Sequence, residues 1–271
     1  MKNMFLYNNA VKRMRQFFQD EKGFIEVPAQ SRQSILAACE DPATISQYIF
    51  SGVNWPLPQT GQMWLERELL ENHDVKGVFC ITTSYRNEPN PIEGRHDKIF
   101  PMFEFESHGT IEDMIELEAE LMKHLGFEKP KTLNYEDACT WYNVDTIEVG
   151  QEEEMVDHYG NIVSLQYFPQ RTHPFWNMKY KGDDIYNKVD VIMYGMETIG
   201  SAERSCNPEE MREQFHTISD GEYSSLLFNH FGRKRVEDEL EEYLAYDMFP
   251  RFGGGIGVTR MVRAMLLGEV L

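Results

Sequence analysis

The sequence predicts an α+β protein, a mainly antiparallel sheet with helices packed against it. Three observations carry that prediction. Helical periodicity runs over residues 4–20 and 110–125; strand-like runs at 78–85 and 100–107 read as an antiparallel hairpin with a long loop; and the strands do not alternate regularly with helices.

Taken in order, Ala10, Val11, Met14, Phe17 and Phe18 recur at three- and four-residue spacing and define one face of a helix stopped by Gly23. Phe24-Ile25-Glu26-Val27-Pro28 reads as a short strand with proline at its exposed end. Residues 31–58 lack periodicity and read as loop with a helical turn, and 62–72 is helical again. The hairpin loop, 87–94, is rich in Asn, Pro and Gly. In Phe103-Glu104-Phe105-Glu106, rings alternate with carboxylates, so the two kinds should face opposite sides of the sheet. Thr110 with Asp113 is a capping box for the helix that follows. Residues 126–182 are less legible, and the charge cluster at 148–158 reads as a solvated helix face or loop. Strand character returns at 188–194 and 198–202, Asn207-Pro208 starts a helix, 236–246 is another, and the run Gly253 to Gly257 leads into a last helix over 258–267.

At 271 residues the chain can bury a substantial core. Its formal charge of −19 and pI near 4.8 exclude a general basic field for nucleic acid, yet allow a small anion held by a few local arginines. The 41% hydrophobic and 26% charged residues are those of a folded enzyme and not of an acidic disordered tail. Cys39, Cys80, Cys139 and Cys206 form no C-x-x-C pair, which argues against a zinc ribbon or disulfide framework and for a reducing cytoplasm. The N-terminus carries charges every few residues and reads as neither signal peptide nor span, and no membrane association is expected.

There is no Walker A loop, H-E-x-x-H or G-x-S-x-G, and the glycine run lacks dinucleotide spacing. What remains is charge at constrained places. Arg86 and Glu88 end an apolar strand and Arg95-His96 re-enter the sheet, forming either a salt-bridged loop or a phosphate clamp, since a guanidinium fork matches phosphate oxygens. Asp190 and Glu197 are either solvated acids or a magnesium pair. Arg260 follows the glycines at a helix start, where an anion is favoured.

These segments resemble the class II aminoacyl-tRNA synthetases. Gly23-Phe24-Ile25-Glu26-Val27-Pro28 resembles motif 1 (23–28), Tyr85-Arg86-Asn87-Glu88 through Arg95-His96 and Phe100 to Glu106 resembles motif 2 (78–107), and Gly253-Gly254-Gly255-Ile256-Gly257-Val258-Thr259-Arg260 resembles motif 3 (253–267). Gln59-Thr60-Gly61-Gln62, His173-Pro174-Phe175 and the spacing of Asp190, Glu197 and Arg204 are similar to the aspartyl and asparaginyl branch. The resemblance implies one class II catalytic domain over residues 1–271, using ATP and magnesium and forming a homodimer. It implies that Arg86 binds the α-phosphate, Phe100 stacks on adenine and Arg260 holds the γ-phosphate. Glu88, Arg95, His96 and Gly257 would complete the nucleotide site, and Asp190 and Glu197 would carry Mg2+. Gln59, Gln62, Glu66, Glu104, His173 and Arg204 would bind the amino acid, with Gln62 and Glu104 at its ammonium and Arg204 at its side chain.

Three departures qualify what the resemblance implies. Only a helix precedes motif 1, where the family carries an anticodon-reading β-barrel, so no anticodon-binding domain is expected, and the negative charge disfavours tRNA. Leu65 stands where the aspartyl type has a lysine, whereas Glu66 fits the glutamate of the asparaginyl type. Thr259 and Ile99 replace acids beside Arg260 and Phe100. The expected function is activation of an Asp- or Asn-like amino acid as its adenylate, with transfer to an acceptor other than tRNA. The alternatives are an ammonia-dependent asparagine synthetase, tRNA charging without anticodon reading, and a silent regulatory paralogue.

Overall fold

The computed structural model describes residues 3–29, 33–38 and 42–271. Cys39, with residues 31, 32, 40 and 41 of the stretch expected to be loop, lies outside them. Helix α1 (Met4–Arg15) continues as a π-helix over Gln16–Glu21, and Gly23 ends the run at φ +72°. Its periodic residues, Ala10, Val11, Met14, Phe17 and Phe18, are all buried. Strand β1 (Ile25–Glu26) follows, shorter than the sequence suggests.

The stretch expected to be loop holds a hairpin, β2 (Gln47–Phe50) and β3 (Val53–Pro56), turned by Ser51 and Gly52, both at positive φ. It escapes a periodicity reading because Ile49 and Phe50 are apolar and exposed. Then come α2 (Gln62–Glu71), β4 (Gly77–Tyr85) and β5 (Ile99–His108), the predicted helix and hairpin. Helix α3 (Ile111–His124) starts at the Thr110/Asp113 capping box. Its first N–H is also taken by the buried carboxylate of Glu203, 3.1 Å away.

The less legible middle contains β6 (Lys131–Asn134), α4 (Tyr135–Tyr142), α5 (Val149–Tyr159), β7 (Ile162–Pro169) and β8 (Tyr180–Gly182). The charge cluster is thus helical, with Met155 its buried anchor. Strands β9 (Ile185–Met193) and β10 (Glu197–Glu203) lead to α6 (Pro208–Thr217), capped by Asn207. Helix α7 (Glu222–Phe231) was not anticipated; α8 (Arg233–Leu244) was. The glycine run proves to be a strand, β11 (Arg251–Gly257), before α9 (Val258–Leu267).

Apart from the separate β2/β3 hairpin, the described strands form one sheet in the order β1-β4-β5-β11-β10-β9-β7-β6, with β8 on β9. Only β1/β4 and β6/β7 pair in parallel, so the sheet is mixed but mainly antiparallel. Period-two alternation then divides its faces. Phe79, Phe103, Phe105, Val189, Val191, Ile199 and Ile256 pack with α1, α3 and α9 into the main core. A second core gathers Trp176 with α6, α7 and α8 beyond the opposite face. Among the described residues no helix is long and apolar enough to cross a membrane. Cys80, Cys139 and Cys206 are unpaired thiols.

Glu118 of α3 lies on the main-core side at 2% exposure, accepting the Ser201 hydroxyl at 2.6 Å, and its other oxygen has no partner. Burial, only partly offset by Ser201, pushes its carboxyl up from 4.5 to about 8. The folded chain therefore keeps a proton that the unfolded chain releases above 4.5. The stability this group contributes is full below that pH and declines as pH rises toward 8. Glu118→Gln should flatten the decline and raise the denaturation midpoint at pH 8 by an amount corresponding to about 1–3 kcal/mol, measured by urea unfolding at pH 5, 6.5 and 8. An unchanged slope would contradict the assignment.

Candidate functional site

Glycines make the floor of the site. In β11, Gly253 and Gly255 lie beside Glu106 and Glu104 of β5, so the sheet presents bare backbone where side chains would otherwise stand. A Cβ on Gly253 would overlap the Glu106 carboxyl and the Phe105 carbonyl. Above this floor is a cleft of about 530 Å³, bounded by α2, the segment 172–178 and the start of α9. The rings of Phe103 and Phe105 turn into the core, while Glu104 and Glu106 turn toward the cleft, as the alternation predicts.

At one end, buried charges interlock. Arg204, just past β10, donates Nε and Nη2 to Glu106 Oε1 at 3.0 and 2.5 Å, and Nη2 to Gln62 Oε1 at 2.6 Å. Gln62 in turn donates to the Gly254 carbonyl at 2.8 Å. Glu66 accepts from Asn177 at 2.6 Å, Tyr243 at 2.5 Å and Arg251 at 3.1 and 2.8 Å. Burial alone would raise Glu66, but Arg251 and Arg204 outweigh it and hold the carboxyl below its ordinary value. Glu106 differs: burial, reinforced by Glu66 and opposed by Arg204, pushes it up to about 8. Burial works against the Arg204 charge, and Glu106 and Glu66 more than restore it. Next to this group, Glu104 accepts from the Thr60 hydroxyl at 2.5 Å, from the Thr82 hydroxyl, and from the N–H of Gly61 at the start of α2, where a helix end favours an anion.

At the other end, cations and a ring collect. The Arg86 guanidinium lies 5.7 Å from the centre of the Phe100 ring, which is half-buried rather than a core aromatic. His96 Nδ1 is 2.8 Å from Glu88. Arg260, in the first turn of α9, donates to the Glu197 carbonyl at 2.7 Å, with the Glu197 carboxylate at 3.7 Å. Arg95 is ion-paired to Glu152 of α5 and bonded to the Gly195 carbonyl at 3.2 Å. Burial raises Glu152, Arg95 opposes that, and Glu197 adds to it.

Asp190 and Glu197 converge over Gly200, whose missing side chain leaves room between Asp190 Oδ1 and Glu197 Oε1. Asp190 is 7% exposed, and its Oδ1 has no hydrogen-bond partner. Its Oδ2 accepts the Lys188 ammonium at 2.5 Å. Burial pushes Asp190 up to about 7; Lys188 opposes the shift and Glu197 adds to it. Two hard carboxylate donors and an orphaned buried oxygen fit a magnesium ion whose remaining ligands are water and phosphate. Among the described residues no group of three or more His, Cys, Asp or Glu is placed to hold a metal by itself.

The cleft thus gathers Arg86, Glu88, Arg95, His96, Phe100, Asp190, Glu197, Gly257 and Arg260 with Gln62, Glu66, Glu104, His173 and Arg204. Gln59 is not among its lining residues: it is buried and donates to Thr44 at 2.9 Å. Sequence reasoning did not single out Lys188, Glu152, Asn177, Tyr243 or Arg251. Lys188 had a local signal, since two residues before Asp190 on a strand is the same face. The others come from distant segments, and no spacing marks them.

The profile of the tRNA synthetases class II (D, K and N) matches residues 1–269. A cytoplasmic aspartate–tRNA ligase of Caenorhabditis elegans is 23% identical over 290 residues, covering 91% of this chain and 51% of its own length. Asparaginyl-tRNA synthetase from Pyrococcus horikoshii, solved with asparaginyl-adenylate, superposes with a TM-score of 0.78 at 18% identity, over 97% of this chain and 65% of that one. The Entamoeba histolytica asparaginyl-tRNA synthetase with asparaginyl-adenylate gives 0.74 at 21% identity, over 98% and 64%. The chain spans about half the length of the curated relative and somewhat under two thirds of these solved chains.

The glycine floor is directly testable. Gly253→Ala must displace Glu106 and with it Arg204, and should destabilise the fold by about 1–3 kcal/mol, the range for overpacking. Gly150→Ala, where the added methyl meets open space, should shift thermal unfolding little by comparison.

Proposed function

The chain belongs to the class II tRNA synthetase family of the D, K and N type, and we propose that it activates an Asp- or Asn-like amino acid with ATP, forming the aminoacyl-adenylate and pyrophosphate. The observation that carries this reading is the division of one cleft into a cationic end with a ring and a buried polar end with Arg204. In the reaction an oxygen of the amino-acid α-carboxylate attacks the α-phosphorus of ATP. The bond to the bridging oxygen breaks, and pyrophosphate leaves with the electron pair. The reactants are anions that repel each other, so the protein must align them and neutralise charge; no nucleophilic side chain is needed.

In this reading Arg86 meets the α-phosphate, Phe100 the adenine and Arg260 the γ-phosphate. Glu88, Arg95, His96 and Gly257 shape the rest of the nucleotide site. Asp190 and Glu197 would hold Mg2+, which supplies Lewis-acid neutralisation of phosphate oxygens when bound. Glu104 receives the substrate ammonium and Arg204 an oxygen of its side chain, with His173 at the same end. Gln62 joins Glu104 at the ammonium in this reading, and Glu66 works through Arg204, since the network already engages both of its oxygens. The acceptor in this reading is other than tRNA, supported by the formal charge of −19. A single domain and a cytoplasmic homodimer belong to the same reading, the dimer supported by exposed Met4, Phe5 and Ile25 on α1 and the edge strand β1.

Amino-acid-dependent exchange of pyrophosphate into ATP, run with all twenty amino acids, should be stimulated by aspartate or asparagine. Arg86→Ala and Arg260→Ala should each lower the rate roughly 100- to 1000-fold. Silence with every amino acid would overturn the reading, and release of AMP from aspartate and ammonia with asparagine formed would identify ammonia as the acceptor.

The protonation of Glu106 gives a second test. With Glu106 neutral, the buried charges around Arg204 carry one negative charge fewer than they do once Glu106 ionises above about 8. Affinity for a substrate with a side-chain carboxylate should therefore fall as pH passes 8, whereas affinity for its amide should stay level. Glu106→Gln should flatten the aspartate profile, measured as KM against pH.

A further inference from the structure

We propose that Lys188 is a fixed cation of the nucleotide site that contacts the polyphosphate directly and occupies one side of Asp190, leaving room there for a single divalent ion shared with Glu197. This rests on the ATP reading above and extends it to a residue that reading does not use.

Three observations place the ammonium. Lys188 and Asp190 sit two apart on β9, so both side chains leave the sheet on the cleft face, and both line the same cleft as Arg86 and Arg260. Lys188 Nζ is 2.5 Å from Asp190 Oδ2 and 3.7 Å from the centre of the Phe168 ring, so it is held from two directions at 22% side-chain exposure. An ammonium has three donors and no acceptor; with one on Asp190, others remain for an incoming anion.

The second oxygen of Asp190 carries the rest of the argument. Oδ1 is buried, without a partner, and faces the space over Gly200 that Glu197 Oε1 also faces. The carboxylate is thus divided: Oδ2 goes to a cation already built into the chain, and Oδ1 is left for a cation brought from solution. A divalent ion taking both oxygens would bring two cations onto Oδ2, where their like charges repel, whereas Oδ1 is unengaged. One exchangeable ion and one covalently tethered charge is the arrangement these distances favour. The neighbouring Arg95 and Glu152 pair with each other, so neither displaces Lys188 from this role.

The experiment is ATP binding by calorimetry in excess EDTA and in magnesium, with melting temperatures confirming that each variant is folded. The wild-type chain should bind ATP in EDTA, and Lys188→Met should weaken that binding roughly 10- to 100-fold, the value of a hydrogen bond between charged groups. Lys188→Arg should retain it. Asp190→Asn should bind ATP in EDTA at least as well as wild type but gain less from magnesium, and adding Lys188→Met to it should produce the same loss again. If Lys188→Met binds as wild type in EDTA, or if its effect vanishes in the Asp190→Asn background, Lys188 only neutralises Asp190 and the proposal fails. If the wild-type chain binds no ATP even with magnesium, the nucleotide reading itself fails and takes this inference with it.

Discussion

Glu66 ties four segments of the chain into one buried network. It stands on α2, fully enclosed, and takes hydrogen bonds from Asn177 after β7, from Tyr243 on α8 and from Arg251 at the head of β11, with Arg204 beyond β10 at 3.6 Å. Removing one partner of such a buried pair costs about 3–5 kcal/mol, because the other charge is left uncompensated. Each of these segments is therefore locked relative to the others. Arg204 is fixed in turn, since Glu106 and Gln62 grip it from the sheet and helix sides. The aim of the Arg204 guanidinium at the polar end of the cleft is a property of this network and not of its own rotamer.

The network also explains why the floor is glycine. Glu106 can reach Arg204 only by crossing over β11, and the space it crosses is where the side chain of residue 253 would be. Strand propensity opposes glycine. The tertiary demand of a buried carboxylate prevails, and the run pairs on both sides, with β5 and β10, in unbroken register.

That conflict marks what the sequence could and could not disclose. Elements whose burial is one-sided were legible from periodicity: α1, the β4/β5 hairpin and α3 with its cap each bury residues their spacing picks out. β11 was not, because its signal is an absence of side chains. The β2/β3 hairpin was not, because its apolar residues face outward and mimic a loop. In the cleft, residues within recognisable motifs could be named from the chain alone, and the structure brings Arg86, Phe100, Asp190, Glu197, Arg204 and Arg260 to one cleft. Gln59 shows the limit, for it sits in the same short segment as Gln62 but turns to Thr44. The partners that hold the named residues, Tyr243, Asn177 and Arg251, are separated from them by up to 185 positions, and only the fold brings them near.

The cationic end obeys a different rule from the polar end. Its basic groups are held by carboxylates one pair at a time, Arg260 with Glu197, Arg95 with Glu152, Lys188 with Asp190 and the His96 ring with Glu88. Isolated pairs of this kind, each with at least one partner open to the cleft, hold each other less firmly than the enclosed and multiply bonded Glu66 network does. An arriving polyanion competes with carboxylates for these cations, and it brings more charge than any single carboxylate. Of the carboxylates released, Asp190 and Glu197 face each other over Gly200, where a divalent cation would fit. A binding site that is electrically balanced when empty can thus exchange its internal partners for a charged ligand and its counterion without a net charge ever being left buried. The enclosed network cannot do this. The polar end of the cleft is built to stay in place and the cationic end to trade partners, with the glycine strand as the rigid floor between them.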